Sequence, residues 1–323
     1  MADRVRWGIL GTADVAEKHF VPAVRGLDNS VAAAVASRDA GRAREFAERL
    51  DIPKACGSYE ELITDPEVDA IYNPLPTALH AEWSIRCAEA GKPVLCEKPL
   101  APNADAAQRM VDAFAGRGVL FAEALMYRFH PLAKRVKQMV EEGAVGEVRV
   151  IQAVFCAMCE DPANFRLRKD LGGGALLDVG SYCVSVMRMI TGEEPEEVCS
   201  AGLFSENGVD LSLVGTLRFP SGAVGSFGCG LKAEFGCSHE IYGTEGRIFV
   251  PQGVVPNPSD EAVIRYWKQY ECEEIVVPPA NQWQLVIEDF ADALLDDRPV
   301  EVPPEDGVRN LRVIDELLAC AAR

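Results

Sequence analysis

The stretch VRWGILGTADVA, residues 5–16, passes from a short apolar segment through a turn of small residues into a segment with helical spacing. Gly11 permits a tight turn, and small residues after it let the backbone approach a ligand and let helix and strand pack closely. A helix that begins here offers free N–H groups and the positive end of its dipole to phosphate. The stretch therefore predicts a dinucleotide site that binds pyrophosphate through Gly11, Thr12 and Ala13. Any tight strand-to-helix turn also needs small residues, so the surrounding sequence has to distinguish a dinucleotide site from an ordinary turn.

The composition is that of a globular protein. The chain has 323 residues, 48% hydrophobic and 25% charged, and this length predicts two domains. The formal net charge of −18 argues against nucleic acid and anionic membranes as partners. The sequence has no apolar run of membrane-spanning length, and the strand at 5–10 leaves no room for a signal peptide. We therefore expect a cytoplasmic protein.

The 11 cysteines are scattered through apolar segments, as expected of buried thiols in a reducing compartment. Cys156 and Cys159 form a lone C-x-x-C pair. Because neither a second pair nor a nearby histidine accompanies them in the sequence, we expect no metal site.

The pattern changes near residue 122. Before it, short apolar runs alternate with helical segments, which predicts a doubly wound parallel sheet. After it, longer and partly alternating strands predict an α+β region with a largely antiparallel, open-faced sheet. We therefore predict an α/β fold, with a dinucleotide-binding Rossmann domain at 1–122 and a substrate-binding and oligomerisation domain at 123–323. Strands are predicted at 5–10, 30–36, 70–72, 93–96, 119–121, 147–158, 197–204, 211–219, 223–231, 238–242 and 247–250, and helices at 13–25, 40–50, 79–90, 103–116, 130–142, 175–190, 283–295 and 307–322.

The end of the second predicted strand bears on the choice of cofactor. An NAD site places an acidic residue there, which accepts hydrogen bonds from the ribose hydroxyls. This strand ends instead in Ser37 and Arg38, which suit a 2′-phosphate or, for the guanidinium, the adenine face. The pattern favours NADP over NAD. Asp39 keeps NAD possible, and a solvated Arg38 beside a helix cap is the structural alternative.

The loop NPLPTALH, residues 73–80, follows the next strand. Its two prolines stiffen a segment that we expect to face the cofactor. Leu75 and His80 are candidate cofactor contacts, and Thr77 is a candidate helix cap. A histidine in a first helical turn is also often structural.

The run EKP, residues 97–99, ends another apolar strand in a charged corner. Open α/β sheets bind ligands at the carboxyl ends of their strands. Glu97 and Lys98 are therefore predicted to lie at the cofactor, with Lys98 ordering its nicotinamide end.

The stretch GGGALLDVGSY, residues 172–182, combines three glycines with an aspartate and a tyrosine. The glycines allow close approach of backbone to a ligand or a helix. Asp178 and Tyr182 lie four residues apart on one helix face. An ammonium group such as that of Lys98 would lower the pKa of Tyr182 from its ordinary value near 10. Taken alone, the stretch is more typical of a buried tyrosine whose hydroxyl is hydrogen-bonded.

Together these motifs resemble the glucose–fructose oxidoreductase / inositol dehydrogenase / MocA (Gfo/Idh/MocA) family of NAD(P)-dependent oxidoreductases. The resemblance covers nearly the whole chain and rests on residues 8–13, on the EKP run, on Phe165-Arg166 and on the glycine run leading to Asp178. Many members have histidine where this chain has Tyr182, and a second acid where it has Ser185. The tyrosine is shared with the branch of dimeric dihydrodiol dehydrogenases and NADP-dependent D-xylose dehydrogenases.

The resemblance implies hydride transfer between a nicotinamide and a carbinol or carbonyl carbon of a sugar, cyclic polyol or diol. It implies that Tyr182 is the acid/base and that Lys98 tunes it. It further implies that Arg166 contacts the cofactor or the substrate, and that Tyr127, Asn164 and Asp178 are substrate contacts. It implies a homodimer or homotetramer and no metal.

Two alternatives remain. One is a reductase of the same fold that acts on a 3-keto-sugar or a keto-sugar nucleotide. The other is a catalytically idle NADP-binding regulator, against which the presence of both Lys98 and Tyr182 argues.

Overall fold

The computed structural model describes residues 4–322, and the chain divides into two compact units. The first unit contains the chain through Met126 together with Gln282–Val308, and the second contains Tyr127–Asn281 and the chain from Arg309 onward. The predicted division at residue 122 did not anticipate the return of residues 282–308 to the first unit. Strand and helix alternation cannot reveal this return, because it depends on packing. The ring centroid of Phe290 lies 5.3 Å from that of Trp7, and Asn29 Nδ2 donates to Asp292 Oδ1 at 2.7 Å.

Helices account for much of both units, and two of them begin with a π-helical turn, at Ala16–Phe20 and Leu176–Gly180. Ser58 Oγ accepts from the Glu61 N–H at 3.1 Å, as expected of a helix cap. The predicted cap at Thr77 is wrong, since the cap position falls on Pro76 and Thr77 is already helical. The helices are α1 (Val21–Arg25), α2 (Ala40–Arg49), α3 (Tyr59–Ile63), α4 (Thr77–Glu89), α5 (Ala104–Ala115), α6 (Pro131–Glu141), α7 (Ser181–Thr191), α8 (Gln282–Leu295) and α9 (Glu305–Ala321).

The first unit contains a parallel sheet, which confirms the predicted doubly wound architecture. Within the described chain it has six strands in the order β3-β2-β1-β4-β5-β6. The order reverses between β1 and β4, and the crevice at such a switch point is where open α/β sheets bind ligands. These strands are β1 (Val5–Leu10), β2 (Ser30–Ala36), β3 (Lys54–Cys56), β4 (Ala70–Asn73), β5 (Val94–Cys96) and β6 (Phe121–Glu123).

Strand β6 begins two residues later than predicted. Gly118 has a φ of +63°, and the Val119 N–H bonds back to the Phe114 carbonyl, so these residues still belong to the end of helix α5.

The second unit contains a largely antiparallel sheet, also as predicted. Over residues 4–322 it has eight strands in the order β14-β13-β12-β11-β7-β10-β9-β8, and only the pairing of β10 with β7 is parallel. Strands β3, β13 and β14 were not predicted from the sequence, and β11 was predicted only in part. These strands are β7 (Val148–Met158), β8 (Glu197–Phe204), β9 (Asp210–Arg218), β10 (Val224–Gly230), β11 (Lys232–Gly243), β12 (Arg247–Val250), β13 (Ala262–Lys268) and β14 (Glu271–Val277).

The two faces of this second sheet differ in exposure. Helix α7 packs against β7 and β10 on one face, and it is buried from Ser181 to Ile190. The opposite face, called the open face below, presents apolar side chains to solvent. Its members include Val150, Val154, Val214 and Val224. Among the helices of the described chain, none combines the length and the hydropathy needed to cross a membrane.

Candidate active site

The glycine turn after β1 has the backbone geometry that its sequence predicts. Gly11 has a φ of +83°, and its N–H donates to the Ala36 carbonyl at 2.8 Å. A Cβ added to Gly11 would lie 3.0 Å from Leu75 Cδ2, so the turn is closed on one side by the loop after β4. Ala13 contributes its carbonyl to the first helical turn by accepting from the Glu17 N–H at 3.2 Å. The structure therefore brings Gly11, Thr12, Ala13 and Leu75 together at the switch point.

Asp39 is used as a helix cap rather than left to face a ribose. Its Oδ1 accepts from the N–H groups of Gly41 at 2.8 Å and Arg42 at 3.1 Å, and these bonds hold the pKa of Asp39 below its ordinary value. Ser37 Oγ accepts from the Asp39 N–H at 3.2 Å and is buried. The carboxylate that kept NAD possible is thus committed to starting helix α2.

Two guanidinium groups lie around the end of β2. Arg38 is exposed. Burial raises the pKa of Tyr59, while the nearby charges of Arg38 and Arg42 oppose that rise. Arg42 Nη2 donates to Thr12 Oγ1 at 3.3 Å, which places a second cation against the glycine turn. Arg42 was not predicted from the sequence. Its position in the first turn of the helix that Asp39 caps could have indicated that its side chain lies near the glycine turn.

His80 bridges two loops of the first unit. Its Nε2 lies 2.6 Å from the Leu75 carbonyl oxygen and its Nδ1 lies 3.0 Å from that of Pro99. The side chain is 1% exposed, and burial lowers the pKa of His80 to about 4 although both carbonyls oppose this. These contacts correct the predicted cofactor contact, because both ring nitrogens already face the protein's own backbone. His80 positions the Leu75 loop relative to the loop that carries Lys98.

The charged corner after β5 is anchored through Glu97. The Glu97 N–H donates to the Asn73 carbonyl at 3.0 Å, and its Oε1 accepts from the Tyr72 hydroxyl at 2.7 Å. Glu97 is buried, and the half-buried Lys98 follows it directly. The Glu97 carboxylate therefore bonds to a neighbouring strand, and this holds the backbone from which the Lys98 ammonium extends.

Glu123 is a second buried acid at this corner, and it was not predicted from the sequence. It ends β6 beside Cys96, and its Oε1 accepts from the Leu100 N–H at 3.1 Å. A Cβ added to Gly307 would lie 2.7 Å from Glu123 Oε2, so this glycine leaves room for the carboxyl group. Burial raises the pKa of Glu123 to about 8, with Asp306 adding to the rise and Lys98 opposing it. Glu123 is therefore protonated at neutral pH.

The triple glycine in the second unit allows a helix to start against an internal carboxylate. A Cβ added to Gly173 would lie 2.5 Å from the Phe165 and Arg166 carbonyl oxygens, and one added to Gly174 would lie 2.2 Å from Asp210 Oδ1. Asp210 Oδ2 accepts from the Leu176 N–H at 2.6 Å. Burial raises the pKa of Asp210 to about 6, although backbone N–H groups oppose this. Asp210 was also not predicted from the sequence, because its hydrogen-bond partner is distant in sequence.

Tyr182 lies in an aromatic setting on α7. It is 3% exposed, and its ring centroid lies 5.9 Å from that of Tyr127 and 5.5 Å from that of Phe155. The Tyr127 hydroxyl shares a hydrogen bond with Ser185 Oγ at 2.7 Å, one helical turn beyond Tyr182. The structure therefore brings the predicted residues Tyr127 and Tyr182 together.

Arg166 and Asp178 form an ion pair in the same unit. Arg166 Nε donates to Asp178 Oδ2 at 2.6 Å, and the Arg166 N–H donates to Asn164 Oδ1 at 3.0 Å. Burial tends to lower the pKa of Arg166, but Asp178 raises it overall and Tyr182 contributes in the same direction. Arg166 and Asp178 thus form an ion pair next to the turn that Asn164 stabilises, and Tyr182 is near enough to influence the charge of Arg166. Within residues 4–322 no group of histidine, cysteine, aspartate and glutamate side chains is arranged to hold a metal ion.

We predict that Glu123→Gln changes the pH dependence of stability. The folded state keeps a proton on Glu123 up to about pH 8, whereas the unfolded chain releases it near 4.5. The free energy of unfolding of the wild type should therefore fall relative to that of the variant as pH rises through this window, by at most about 1.4 kcal/mol per pH unit. Urea unfolding at several pH values measures this difference. The exposed Glu316→Gln on α9 is the control, and a Glu123→Gln difference that is constant with pH would contradict the assignment.

Both halves of the chain match models of one family. Residues 5–125 match the oxidoreductase family with an NAD-binding Rossmann fold, and residues 133–249 match the GFO/IDH/MocA C-terminal domain.

Relatives of known activity are similar over most of the chain. The D-xylose 1-dehydrogenase (NADP(+)) 2 of Haloferax volcanii is 34% identical, over 98% of this chain and 97% of its own. The trans-1,2-dihydrobenzene-1,2-diol dehydrogenase of Bos taurus is 38% identical, over 75% of this chain and 72% of its own. A crystallised 3-ketoreductase from Actinomadura kijaniata, in complex with NADP and TDP-benzene, superposes with a TM-score of 0.93 at 31% identity, over 98% of this chain and 97% of its own. The family predicted from the sequence is therefore confirmed, and the chain belongs to the GFO/IDH/MocA family of oxidoreductases.

Proposed function

We propose that this chain is an NADP-dependent oxidoreductase acting on a hydroxyl-bearing or keto carbon of a sugar, cyclic polyol or diol. The proposal rests on the similarity of this chain to the 3-ketoreductase and on the spacing between a lysine and a tyrosine in both chains. Lysine and tyrosine variants of that reductase have been crystallised, and the two substituted residues are separated by as many positions as Lys98 and Tyr182 are here. The D-xylose and dihydrodiol dehydrogenases support the same class of substrate.

The cofactor proposal rests on the end of β2. Arg38 and Arg42 supply two cations beside the glycine turn, and Ser37 supplies a hydroxyl, which together suit a 2′-phosphate. Asp39 caps α2 and is not directed to a ribose. Bound NADP would supply the hydride acceptor or donor. Gly11, Thr12 and Ala13 would hold its pyrophosphate, Leu75 would line the turn, and NAD remains the weaker candidate.

Lys98 and Tyr182 are the proposed catalytic pair. In the oxidation direction Tyr182 accepts the hydroxyl proton of the substrate, and in the reduction direction it returns a proton to the carbonyl oxygen. Lys98 stabilises the negative charge that develops on oxygen and orders the nicotinamide ribose. Glu97 supports this role by holding the corner from which Lys98 extends.

Arg166 is the proposed contact for the cofactor or a polar group of the substrate. Its ion pair with Asp178 presents a donor and an acceptor from one cluster, the combination that hydroxyl groups of a sugar need. Asn164 and Tyr127 are secondary candidates, since each already bonds to a neighbour in the second unit. A keto-sugar or keto-sugar nucleotide is the second candidate substrate, favoured by the likeness to the 3-ketoreductase.

We further propose a homodimer or homotetramer in a reducing compartment, the cytoplasm. An apolar sheet face of this extent is unfavourable in water, and a second copy covering the open face removes that cost. Within residues 4–322 the 11 cysteines are all thiols, which suits a compartment where thiols stay reduced.

Separate Lys98→Met and Tyr182→Phe variants should lose turnover and keep NADPH binding. Removing an acid/base or a charge-stabilising group lowers kcat by about a hundredfold or more. Steady-state kinetics with a panel of aldoses, inositols, diols and keto-sugars, alongside NADPH titration by fluorescence, measures both effects. Tyr270→Phe, at a fully exposed position, serves as the matched control. Unchanged kcat in either variant removes that residue from the mechanism.

Arg38→Ala should weaken NADPH binding about ten- to a hundredfold while changing NADH binding little, because a lost charge-assisted bond affects only the ligand with the 2′-phosphate. Arg42→Ala should act in the same direction. The comparison is the Kd of each variant for NADPH and NADH, with the exposed Arg44→Ala on the same helix as control. Equal losses for both nucleotides would rule out the phosphate contact.

Val154→Lys should shift the protein toward the monomer, because it places a charge on the open face. Light scattering after size-exclusion chromatography gives the mass, and circular dichroism checks the fold. Val31→Lys, at an exposed position in the first unit, should leave the mass unchanged. An oligomer of unchanged mass in Val154→Lys would exclude the open face as the interface.

A further inference from the structure

Two thiols meet where helix α9 ends against the outer strand of the second sheet. Cys199 is exposed on β8, and Cys320 is half-buried near the end of α9. Their Sγ atoms lie 3.9 Å apart, although the residues are 121 positions apart in the chain. Strand β8 is the last strand on this side of the sheet, so the pair sits at the sheet's edge.

Hydrogen bonds at Ser200 hold the two elements together beside the thiols. Ser200 Oγ donates to the Leu317 carbonyl at 2.5 Å, and the Ser200 N–H donates to Cys320 Sγ at 3.4 Å. Hydrogen bonds between β8 and α9 therefore hold the two thiols near each other. Forming an S–S bond of about 2.05 Å requires the two sulfurs to approach by about 1.9 Å from this starting point.

The other cysteines differ from this pair in ways that matter for oxidation. Most of them are buried, and burial raises the pKa of Cys56 and of Cys237 to about 11, which keeps these thiols protonated. Cys272 is exposed like Cys199, but it lies on β14 at the opposite edge of the sheet. Cys272 thus provides a matched single thiol within the same unit.

We infer that Cys199 and Cys320 form a reversible disulfide when the protein meets a small-molecule disulfide such as oxidised glutathione. One thiolate attacks the reagent, forming a mixed disulfide and releasing one glutathione thiolate. The second protein thiolate then attacks the protein sulfur of that mixed disulfide and releases the other glutathione. Two protein thiols are oxidised, one glutathione disulfide is reduced, and two protons leave with the two glutathione products.

The disulfide would join strand β8 to the end of helix α9 and would enclose the long stretch of chain between Cys199 and Cys320. A crosslink between residues so distant in sequence restricts the unfolded chain strongly, and therefore raises resistance to unfolding. In a reducing compartment the pair would remain a dithiol, and oxidation would convert the second unit to a more stable form. This inference is independent of the proposed catalytic residues. It requires that Cys199, whose strand partner Thr216 lies two positions from Val214 of the open face, stays accessible in the proposed oligomer.

The test exposes the full-length native protein to oxidised glutathione and then blocks remaining thiols with N-ethylmaleimide. We expect the intact mass, measured before the blocking step, to fall by two hydrogen atoms. Unreduced peptide mapping after blocking should join the peptides of Cys199 and Cys320. Cys199→Ser and Cys320→Ser should each prevent closure and gain one glutathionyl group at the remaining thiol. Cys272→Ser should close as the wild type does. The melting temperature of the oxidised wild type should rise, and dithiothreitol should reverse the rise.

Several results would overturn the inference. Stable glutathionyl groups on both thiols of the wild type would mean that the second attack does not occur. A linkage of Cys156 to Cys159, or a disulfide between two chains, would place the reactive pair elsewhere. No reaction at either thiol in the native protein would mean that neither is accessible. Because none of these readouts measures turnover, failure here is distinguishable from failure of the proposed activity.

Discussion

The parallel pairing of β1 with β2 on one side and β4 on the other is the constraint on which the first unit's candidate site depends. Parallel neighbours end at the same edge of a sheet, so the turns after β1, β2 and β4 are brought together without needing contacts of their own. Gly11 shows how close these turns lie to one another. Its N–H donates to the Ala36 carbonyl at the end of β2, and Leu75 from the loop after β4 packs against its other side. A side chain at Gly11 would require a left-handed backbone conformation and would also press on Leu75. The packing of the strands and loops in this sheet therefore requires glycine at position 11, whether or not a ligand binds there.

The corner that carries Lys98 raises a second physical problem, the burial of acids. Glu97, Glu123 and Asp306 are each buried in the first unit, and an isolated buried carboxylate is costly. Each acid is stabilised in a different way. Glu97 accepts a hydrogen bond from the Tyr72 hydroxyl, and Glu123 keeps its proton. Asp306 lies in the first turn of α9, where the helix dipole favours a negative charge. Part of the pH response near Lys98 therefore comes from groups that hold the fold. A pH profile of turnover has to be separated from the titration of Glu123 before it is assigned to catalysis.

The sequence predicted the regions whose hydrophobic pattern is decided locally, and it failed where distant partners decide. Parallel strands buried on both faces are short apolar runs, so β1, β2 and β5 were recognisable. Strand β14 has the sequence ECEEIVV and is largely exposed at the sheet edge, so its pattern carries little sign of a strand. The missed site residues have the same cause. Arg42, Glu123 and Asp210 are ionisable residues whose roles depend on Thr12, Leu100 and Leu176, and none of these partners is near in sequence.

The triple glycine shows why a glycine run does not by itself identify a ligand site. At Gly11 and at Gly174 alike, small residues let the backbone lead into a helix N-terminus, the part of a helix that attracts anions. At Gly174 the anion is supplied from within the protein, because Asp210 from β9 reaches the Leu176 N–H. The helix that carries Tyr182 therefore already has a carboxylate at its start, and it has no need of a bound phosphate there. The candidate site residues of this segment lie further along it: Asp178 with its Arg166 partner, and Tyr182 beside Tyr127. The turn at Gly174 differs from the turn at Gly11 because a buried acid, Asp210 on β9, occupies its helix N-terminus. A local sequence motif cannot indicate this contact, because Asp210 is distant in sequence.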